Sequence, residues 1–204
     1  MNAVSPDLDR RFRDAAADEG LLDAAYDFVD SPVGPLLVAT SKRGVCRISY
    51  DAEPERELDR LARDFGVRVL RSAKPIDLAR RELDEYFEGK RHEFDLPLDV
   101  ALLADFNRRV LRELARVPYG EVVTYGELAA RSARPRAARA VGMVMNRNPL
   151  PIVLPCHRVI GANGKLTGYA GGLERKETLL RLEGAILLAR PMHRWRAICC
   201  TQHG

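Results

Sequence analysis

The side chains best suited to chemistry lie together in Pro155–Val159, which reads PCHRV. This segment places a thiol, an imidazole and a guanidinium at consecutive positions, directly after the apolar run Leu150–Leu154, which predicts a buried strand. Cysteine attacks as a thiolate, so a nucleophilic Cys156 needs a nearby base or a positive field that lowers its pKa. In an extended segment adjacent side chains leave opposite faces, so His157 would reach Cys156 only through a turn or a water molecule.

The same two residue types also fit a purely structural role. Free cysteine is among the most buried residue types, so Cys156 and His157 by themselves favour a core cysteine beside a surface histidine. The surrounding elements have to decide between the two interpretations.

The composition is that of a globular protein whose charge is unevenly distributed. With 204 residues, 46% hydrophobic and 30% charged, the chain is long enough for one domain or two small ones. Residues 1–30 hold eight acidic residues against three arginines, whereas residues 106–158 hold ten arginines against three glutamates. Such a basic block suits a polyanion such as nucleic acid, although a solvated helix face would look the same. We expect a cytoplasmic protein with reduced cysteines, because there is no export signal and no cysteine framework.

The first half predicts an α+β unit without a chemical constellation. An acidic extension (1–25), loosely ordered or helical, precedes strands at 26–29, 36–40 and 45–50, and helices at 53–65 and 75–88. On the third strand Cys46, Ile48 and Tyr50 are expected on one core-facing side, and residues 94–98 are expected to add an edge segment.

The second half predicts short helices around the PCHRV segment. An apolar stripe from Phe106 to Val117 indicates a helix, and Thr124–Glu127 has the form of a capping box that starts a helix through Arg131. Pro135 suits the first position of a further helix that runs to about Met145. Two short helices with exposed arginines have the outline of a helix-turn-helix, although ordinary helical hairpins are commoner.

Several of these segments together resemble the O6-alkylguanine-DNA alkyltransferases, also called methylated-DNA–protein-cysteine methyltransferases. The resemblance extends from about residue 106 to residue 184 and includes PCHRV, PYGE (118–121), TYGELA (124–129), ARAVG (138–142), Asn148-Pro149 and GYAGG (168–172). A weaker similarity, SPVGPL (31–36), resembles the start of the family's N-terminal domain.

The resemblance implies an α+β fold with a small N-terminal antiparallel sheet and helices. A mostly helical, winged-helix-like domain with the helix-turn-helix would follow. The expected division is an extension (1–25), an N-terminal α+β domain (26–100), a DNA-binding and alkyl-acceptor domain (101–186) and a tail (187–204).

The activity implied is DNA repair by direct reversal of damage. An alkyl group would pass irreversibly from O6 of alkylguanine, with O4-alkylthymine as a second candidate, to Cys156, without a cofactor. By resemblance His157 takes the thiol proton through a water molecule, Glu183 orients His157, and Asn148 holds the active-site turn. From position alone, Glu183 could equally be a surface residue. For Asn148 the sequence alone favours a simple turn residue before Pro149.

Access to a stacked base requires base flipping, since O6 is out of reach inside the duplex. The resemblance assigns Arg139 to fill the vacated space, and Tyr125 to crowd the 3′ phosphate and hydrogen-bond N3 of the flipped base. Arg136 and Ala138 are the further expected DNA-binding residues. An exposed helix arginine and a half-buried aromatic residue are the structural alternatives.

The base pocket implied by the family motif has walls from the GYAGG loop and the residues around Cys156. Backbone carbonyls at Cys156 and Val159 would receive the guanine amino group, and the backbone N–H of Ala170 would contact O6. The remaining pocket residues are Met145, Pro151, Tyr169 and Gly171.

The expected partner is double-stranded DNA, bound in its minor groove by a monomer, with cooperative assembly on DNA left open; no membrane partner and no metal site are expected. Near the C-terminus His193, Cys199, Cys200 and His203 could bind a metal adventitiously, or lie in a disordered tail. Two rival functions remain: a lesion-binding module without chemistry, which Cys156 speaks against, and a Cys-His hydrolase, which would need an oxyanion hole.

Overall fold

The computed structural model describes residues 5–50 and 54–185. Its helices are α1 (Pro6–Asp18), α2 (Pro54–Phe65), α3 (Asp77–Phe87), α4 (Asp105–Ala115), α5 (Tyr125–Arg131), α6 (Ala138–Asn146) and α7 (Leu173–Leu182). Its strands are β1 (Ala24–Val29), β2 (Leu36–Ser41), β3 (Gly44–Ser49), β4 (Val69–Arg71), β5 (Val123–Thr124) and β6 (Val159–Ile160). Two 3-10 turns, Lys74–Ile76 and Cys156–Arg158, complete the elements. The predicted α+β class is confirmed.

The N-terminal half is built on a four-stranded sheet of order β3-β2-β1-β4. The meander β1-β2-β3 is antiparallel, as predicted, and β4 adds a short strand parallel to β1 that the sequence pattern did not indicate. The expected edge segment is reduced to one bridge, between Val45 and Leu98. The acidic extension forms helix α1, which begins at the N-cap Ser5.

The prediction that Cys46 shares a face with Ile48 and Tyr50 is wrong. The pairing of β2 with β3 shifts between Ala39 and Thr40, so Cys46 is the extra residue of a bulge. Beyond a bulge the alternation of side chains is reversed. Cys46 therefore packs with Leu37, Ala39 and Leu61, whereas Ile48 and Tyr50 face the other core.

One hydrophobic core joins the two halves of the chain. It combines Leu36, Val38 and Leu83 of the first half with residues of α4, α5, α6 and α7. The outer edge of β3 is bonded directly to the second half, because the Ile48 N–H donates to the Pro149 carbonyl at 2.8 Å. The N-terminal sheet therefore supports the turn that leads to Cys156.

The predicted strand over Leu150–Leu154 is also wrong. These residues are buried, as their apolar character requires, but they form consecutive turns. Ile152 lies at a φ of +74°, a region that β-branched residues rarely adopt. The apolar pattern predicted the burial correctly, but burial alone does not distinguish a strand from a packed turn.

The helix-turn-helix prediction is met by α5 and α6. The capping box is complete, since the Glu127 N–H donates to Thr124 Oγ1 and the Glu127 carboxylate accepts from the Thr124 N–H. Helix α6 begins at Ala138 and not at Pro135, which lies in the preceding turn. Among the described residues no helix has the length and apolar character required to cross a bilayer.

The capping box generates a stability prediction. Thr124→Ala removes the acceptor for the Glu127 N–H, so we expect the free energy of unfolding to fall by about 1 kcal/mol in urea titrations. Thr124→Ser keeps the hydroxyl and should retain most of this stability. Equal urea midpoints for the two variants would contradict the capping role.

Candidate active site

Asn148 holds together the turn that precedes Cys156. Its side-chain amide donates to the Leu154 carbonyl at 2.8 Å, and its carbonyl oxygen accepts from the Leu150 N–H at 3.1 Å. These two bonds close the turn around Ile152, whose left-handed backbone costs energy that the closed turn must offset. The Asn148 side chain therefore links the two ends of this turn.

Cys156 begins a 3-10 turn and lies almost fully buried beside a cavity. Burial raises the pKa of its thiol, whereas hydrogen bonds from the side chains of Asn148 and Tyr169 and the positive charge of Lys176 lower it. Because the 3-10 turn is not extended, the assumption of opposite faces for Cys156 and His157 does not hold. Without a base, desolvation favours the neutral thiol.

The side chain of His157 is paired with that of Glu183. His157 Nε2 lies 2.8 Å from Glu183 Oε1, and both side chains are buried. The other ring nitrogen, Nδ1, is buried and has no hydrogen-bond partner among the described residues. Burial lowers the pKa of His157, although the bond to Glu183 opposes this, so the imidazole rests neutral with one nitrogen available for a proton.

Glu183 is the centre of a buried network. Its carboxylate accepts from Tyr86 Oη at 2.7 Å, from Arg158 Nε at 2.8 Å and from Arg158 Nη2 at 2.9 Å, in addition to His157. Burial acts to raise the pKa of Glu183, but the bonds from His157 and Arg158 outweigh it and lower the pKa to about 2. Glu183 is therefore charged at neutral pH and orients the imidazole.

Two members of this network were missed by the sequence analysis. Tyr86 lies on α3, 97 residues from Glu183 along the chain, and its position on an apolar helix face indicated only a core residue. Arg158 was part of the PCHRV segment, but no feature of the sequence indicated that its guanidinium is buried and also donates to the Val117 carbonyl.

Lys176 is a third residue that the sequence analysis missed. Its side chain is fully buried, and Nζ donates to the Val159 carbonyl at 2.6 Å and to the Thr167 carbonyl at 2.8 Å. Burial lowers its pKa to about 8, and the proximity of Cys156 acts in the opposite direction. The available signal was its spacing of three and four residues from the apolar Leu179 and Leu180, which places Lys176 on the buried face of α7.

A cavity of about 780 Å³ opens beside Cys156, within the range of small-molecule sites. It is lined by both halves of the chain. From the first half come β3, Tyr50 and α2, and from the second come the end of α6, Pro151, Cys156, Tyr169 and Ala170. Of the predicted pocket residues, Met145, Pro151, Tyr169 and Ala170 line this cavity, whereas Val159 and Gly171 are not among its described lining residues.

Tyr50 was not predicted as a site residue. Its hydroxyl lies 2.5 Å from that of Tyr169. Gly171 allows this contact, because a Cβ there would lie 2.6 Å from the Tyr50 ring.

The helix-turn-helix lies next to the cavity. The strand β5, which precedes α5, pairs with β6, which follows Cys156. Tyr125 is half-buried against Gly142 of α6, and its hydroxyl donates to the Gly168 carbonyl at 3.4 Å. The end of α6 lines the cavity, and the beginning of α6 exposes Arg139, about 9 Å away along the helix axis. Ala138 is half-buried and Arg136 is exposed in the preceding turn.

No group of three or more potential metal ligands occurs among residues 5–50 and 54–185. The residues considered for adventitious metal binding, His193, Cys199, Cys200 and His203, lie outside the described part of the chain.

The helix-turn-helix beside the cavity is typical of proteins that bind nucleic acid. The cysteine that lines this cavity, next to a buried histidine–glutamate pair, is typical of a nucleophile. The fold and the site are therefore those of a nucleic-acid-binding protein with a nucleophilic cysteine. The chain also matches two family models, the DNA-binding domain of 6-O-methylguanine DNA methyltransferase over residues 105–185 and its ribonuclease-like domain over residues 24–100. The chain belongs to the 6-O-methylguanine DNA methyltransferase family.

Similar proteins carry the corresponding name. The methylated-DNA–protein-cysteine methyltransferase of Methanosarcina barkeri is 44% identical over 158 residues, which cover 78% of this chain and 96% of the relative. The protein of that name from Mycolicibacterium paratuberculosis is 44% identical over 158 residues, covering 78% and 91%. The crystal structure of Mycobacterium tuberculosis OGT in complex with DNA is similar at 40% identity and a TM-score of 0.69, covering 79% of this chain and 93% of that chain.

The network around Glu183 generates a pH prediction. Because the pKa of Glu183 is depressed from 4.5 to about 2, its contribution to stability is present above about pH 4.5 and is lost as the pH falls towards 2. We expect Glu183→Gln to lower the free energy of unfolding by roughly 3 kcal/mol at pH 7. The difference from the unaltered protein should narrow between pH 4.5 and pH 2 in urea titrations.

The control is Glu174→Gln at an exposed position of α7. It should show no comparable difference at any pH. A Glu183→Gln deficit that is the same at pH 7 and pH 2.5 would contradict the charged network.

Proposed function

We propose that this protein repairs O6-alkylguanine in DNA by transferring the alkyl group irreversibly to the sulfur of Cys156. The observation that carries the proposal is a cysteine that lines a cavity beside a helix-turn-helix and is followed in the chain by a histidine paired with Glu183. The names of the similar proteins support the same activity, methylated-DNA–protein-cysteine S-methyltransferase. We propose O4-alkylthymine as a second substrate.

In the proposed mechanism, the thiol proton passes through a water molecule to His157. Nδ1 is the available acceptor, because Nε2 is engaged by Glu183. The carboxylate of Glu183 then stabilises the imidazolium, and the positive charge of Lys176 stabilises the thiolate that remains. Two charges thus separate in a buried site only because each has a fixed counter-charge.

The thiolate attacks the alkyl carbon, a carbon–sulfur bond forms, and the bond from that carbon to O6 breaks. Its electron pair leaves with the guanine, which takes up a proton at N3 from the Tyr125 hydroxyl. The proton released by the thiol restores Tyr125 through His157 and solvent, so atoms and charges balance. The thioether has no easy reverse path, so each molecule reacts once, and no cofactor is required.

The cavity provides the surfaces that a flipped purine requires. Tyr169 offers an aromatic wall, and Met145 and Pro151 offer apolar contacts. In this proposal the Ala170 N–H contacts O6, and the carbonyls of Cys156 and Val159 receive the amino group. The Val159 carbonyl already accepts from Lys176, and its second lone pair can accept the base.

Access to the base is assigned to the helix-turn-helix, which we propose binds the minor groove. Arg139 is exposed near the start of α6, where it can enter the stack while the base occupies the cavity at the other end of the helix. Tyr125 would crowd the 3′ phosphate, and Arg136 and Ala138 would contact the backbone nearby. Flipping a base costs a few kcal/mol, which these contacts offset.

The remaining features complete the proposal. We assign residues 26–100 to an N-terminal domain and residues 101–186 to the DNA-binding and acceptor domain. The protein acts as a monomer, and the free thiols Cys46 and Cys156 fit the reducing conditions of the cytoplasm.

The stoichiometry of transfer tests this function. Incubation with duplex DNA that contains radiolabelled O6-methylguanine should leave one methyl group per protein molecule, located at Cys156 by peptide mass spectrometry. Cys156→Ala should remain unlabelled, whereas Cys46→Ala should keep one label. Multiple turnovers, or label on the Cys156→Ala variant, would refute the proposal.

Intact-mass measurement after exposure to O6-benzylguanine separates the rival functions. An alkyltransferase acquires one benzyl group, a lesion-binding module acquires none, and a Cys-His hydrolase acquires no benzyl group but forms a transient acyl species when given an ester.

Base flipping by Arg139 generates a separate prediction. Arg139→Ala should slow transfer from duplex DNA by on the order of 10- to 100-fold, because a few kcal/mol of compensation for unstacking is lost. Reaction with free O6-benzylguanine, which needs no flipping, should be unchanged. The matched control Arg81→Ala, an exposed arginine of α3, should alter neither rate. Equal losses on both substrates would contradict the assignment.

A further inference from the structure

The N-terminal sheet contributes an aromatic residue to the wall of the active-site cavity. Tyr50 follows β3, is 7% exposed and lines the cavity together with Cys156. Its position is set on two sides. The bond from Ile48 to Pro149 ties the end of β3 to the active-site turn, and the Arg175 guanidinium lies 5.3 Å from the centre of the Tyr50 ring.

Two hydroxyl groups connect this residue to the sulfur. The hydroxyls of Tyr50 and Tyr169 are 2.5 Å apart, and their rings lie 5.9 Å apart at an angle of 58°. Tyr169 and Cys156 line the same cavity, and hydrogen bonding from the Tyr169 side chain acts to lower the pKa of the Cys156 thiol. This pair of hydroxyl groups therefore extends from the first half of the protein, along the cavity wall, towards the nucleophile.

The direction of these bonds follows from the number of protons that each group can donate. A tyrosine hydroxyl has one proton to donate, and a thiolate can only accept. When Cys156 is ionised, Tyr169 must donate to the sulfur, and the proton between the two hydroxyls must then come from Tyr50. Both phenols remain protonated, since burial and the nearby Cys156 charge raise the pKa of each.

We propose that Tyr50 is a positioning residue for the nucleophile: by donating to the Tyr169 hydroxyl, it directs the Tyr169 proton at the Cys156 sulfur and stabilises the thiolate. Successive hydrogen bonds polarise one another, so the Tyr169 donor is stronger with Tyr50 behind it. The inference rests on the proposed function, and it makes the N-terminal half a participant in activating Cys156.

The experiment is the pH dependence of the reaction with free O6-benzylguanine, which isolates the chemistry from DNA binding. Tyr50→Phe removes only the hydroxyl and keeps the ring. We expect a rate lower by roughly 3- to 10-fold at pH 7, the effect of one hydrogen bond. The deficit should narrow towards pH 9.5, because at high pH the thiolate forms without assistance. A loss of packing alone would lower the rate by the same factor at every pH.

A double-mutant cycle tests whether Tyr50 acts through Tyr169. In a Tyr169→Phe background, Tyr50→Phe should have little further effect, because the connecting hydroxyl is already absent. Tyr26→Phe is the matched control, since Tyr26 packs in the separate cluster around Leu37 and Leu61. It should react like the unaltered protein.

The outcomes separate this inference from the function on which it rests. If the unaltered protein acquires no benzyl group at Cys156, the proposed function fails. If it reacts normally and Tyr50→Phe keeps the same rate and pH profile, or if the two substitutions act additively, only the role of Tyr50 is overturned. Urea titration of each variant shows whether the variant is folded under the conditions of the rate measurements.

Discussion

The buried carboxylate of Glu183 links the two halves of the described chain next to the active-site cysteine. It lies directly after α7, where the negative end of the helix dipole disfavours an anion by about 0.3–1 kcal/mol. The three donors that outweigh this cost come from two parts of the chain: Tyr86 from α3, and His157 and Arg158 from the turn that contains Cys156. A single charge therefore connects the N-terminal half, the active-site turn and the last described helix, and it also orients the imidazole next to the nucleophile.

The polar groups around Cys156 explain how a buried thiol can ionise. An isolated thiol in this position would stay neutral, because burial penalises its ionised form. Around Cys156, however, the polar groups are either neutral donors, such as Asn148 and Tyr169, or cations held by backbone carbonyls, such as Lys176. These groups thus favour the anionic sulfur, and burial lowers the pKa of the neighbouring His157 so that its imidazole is neutral.

The N-terminal half takes part in this arrangement more directly than its lack of sequence motifs indicates. Its sheet hydrogen-bonds the active-site turn through Ile48, its helix α3 supplies Tyr86 to the Glu183 network, and Tyr50 reaches the cavity. The two halves share one apolar core. Residues from both halves of the described chain consequently stabilise the site and line the cavity. The reactive groups and the helix-turn-helix lie in the second half.

Features that depend on adjacent residues or on regular spacing were predictable from the amino-acid sequence. These include the α+β class, the capping box at Thr124, the helix-turn-helix, and the short motifs that contain Cys156, His157 and Asn148. Contacts between distant residues decide the rest: residues 150–154 form turns, and a bulge places Cys46 and Ile48 on different faces. The same kind of contact brings Tyr86 to Glu183, Lys176 near Cys156 and Tyr50 to the cavity. Apolar spacing reports whether a position is buried, but it does not report which distant polar group it meets. Such pairs form only in the folded chain, because a buried charge there requires a hydrogen-bond partner that a distant residue supplies.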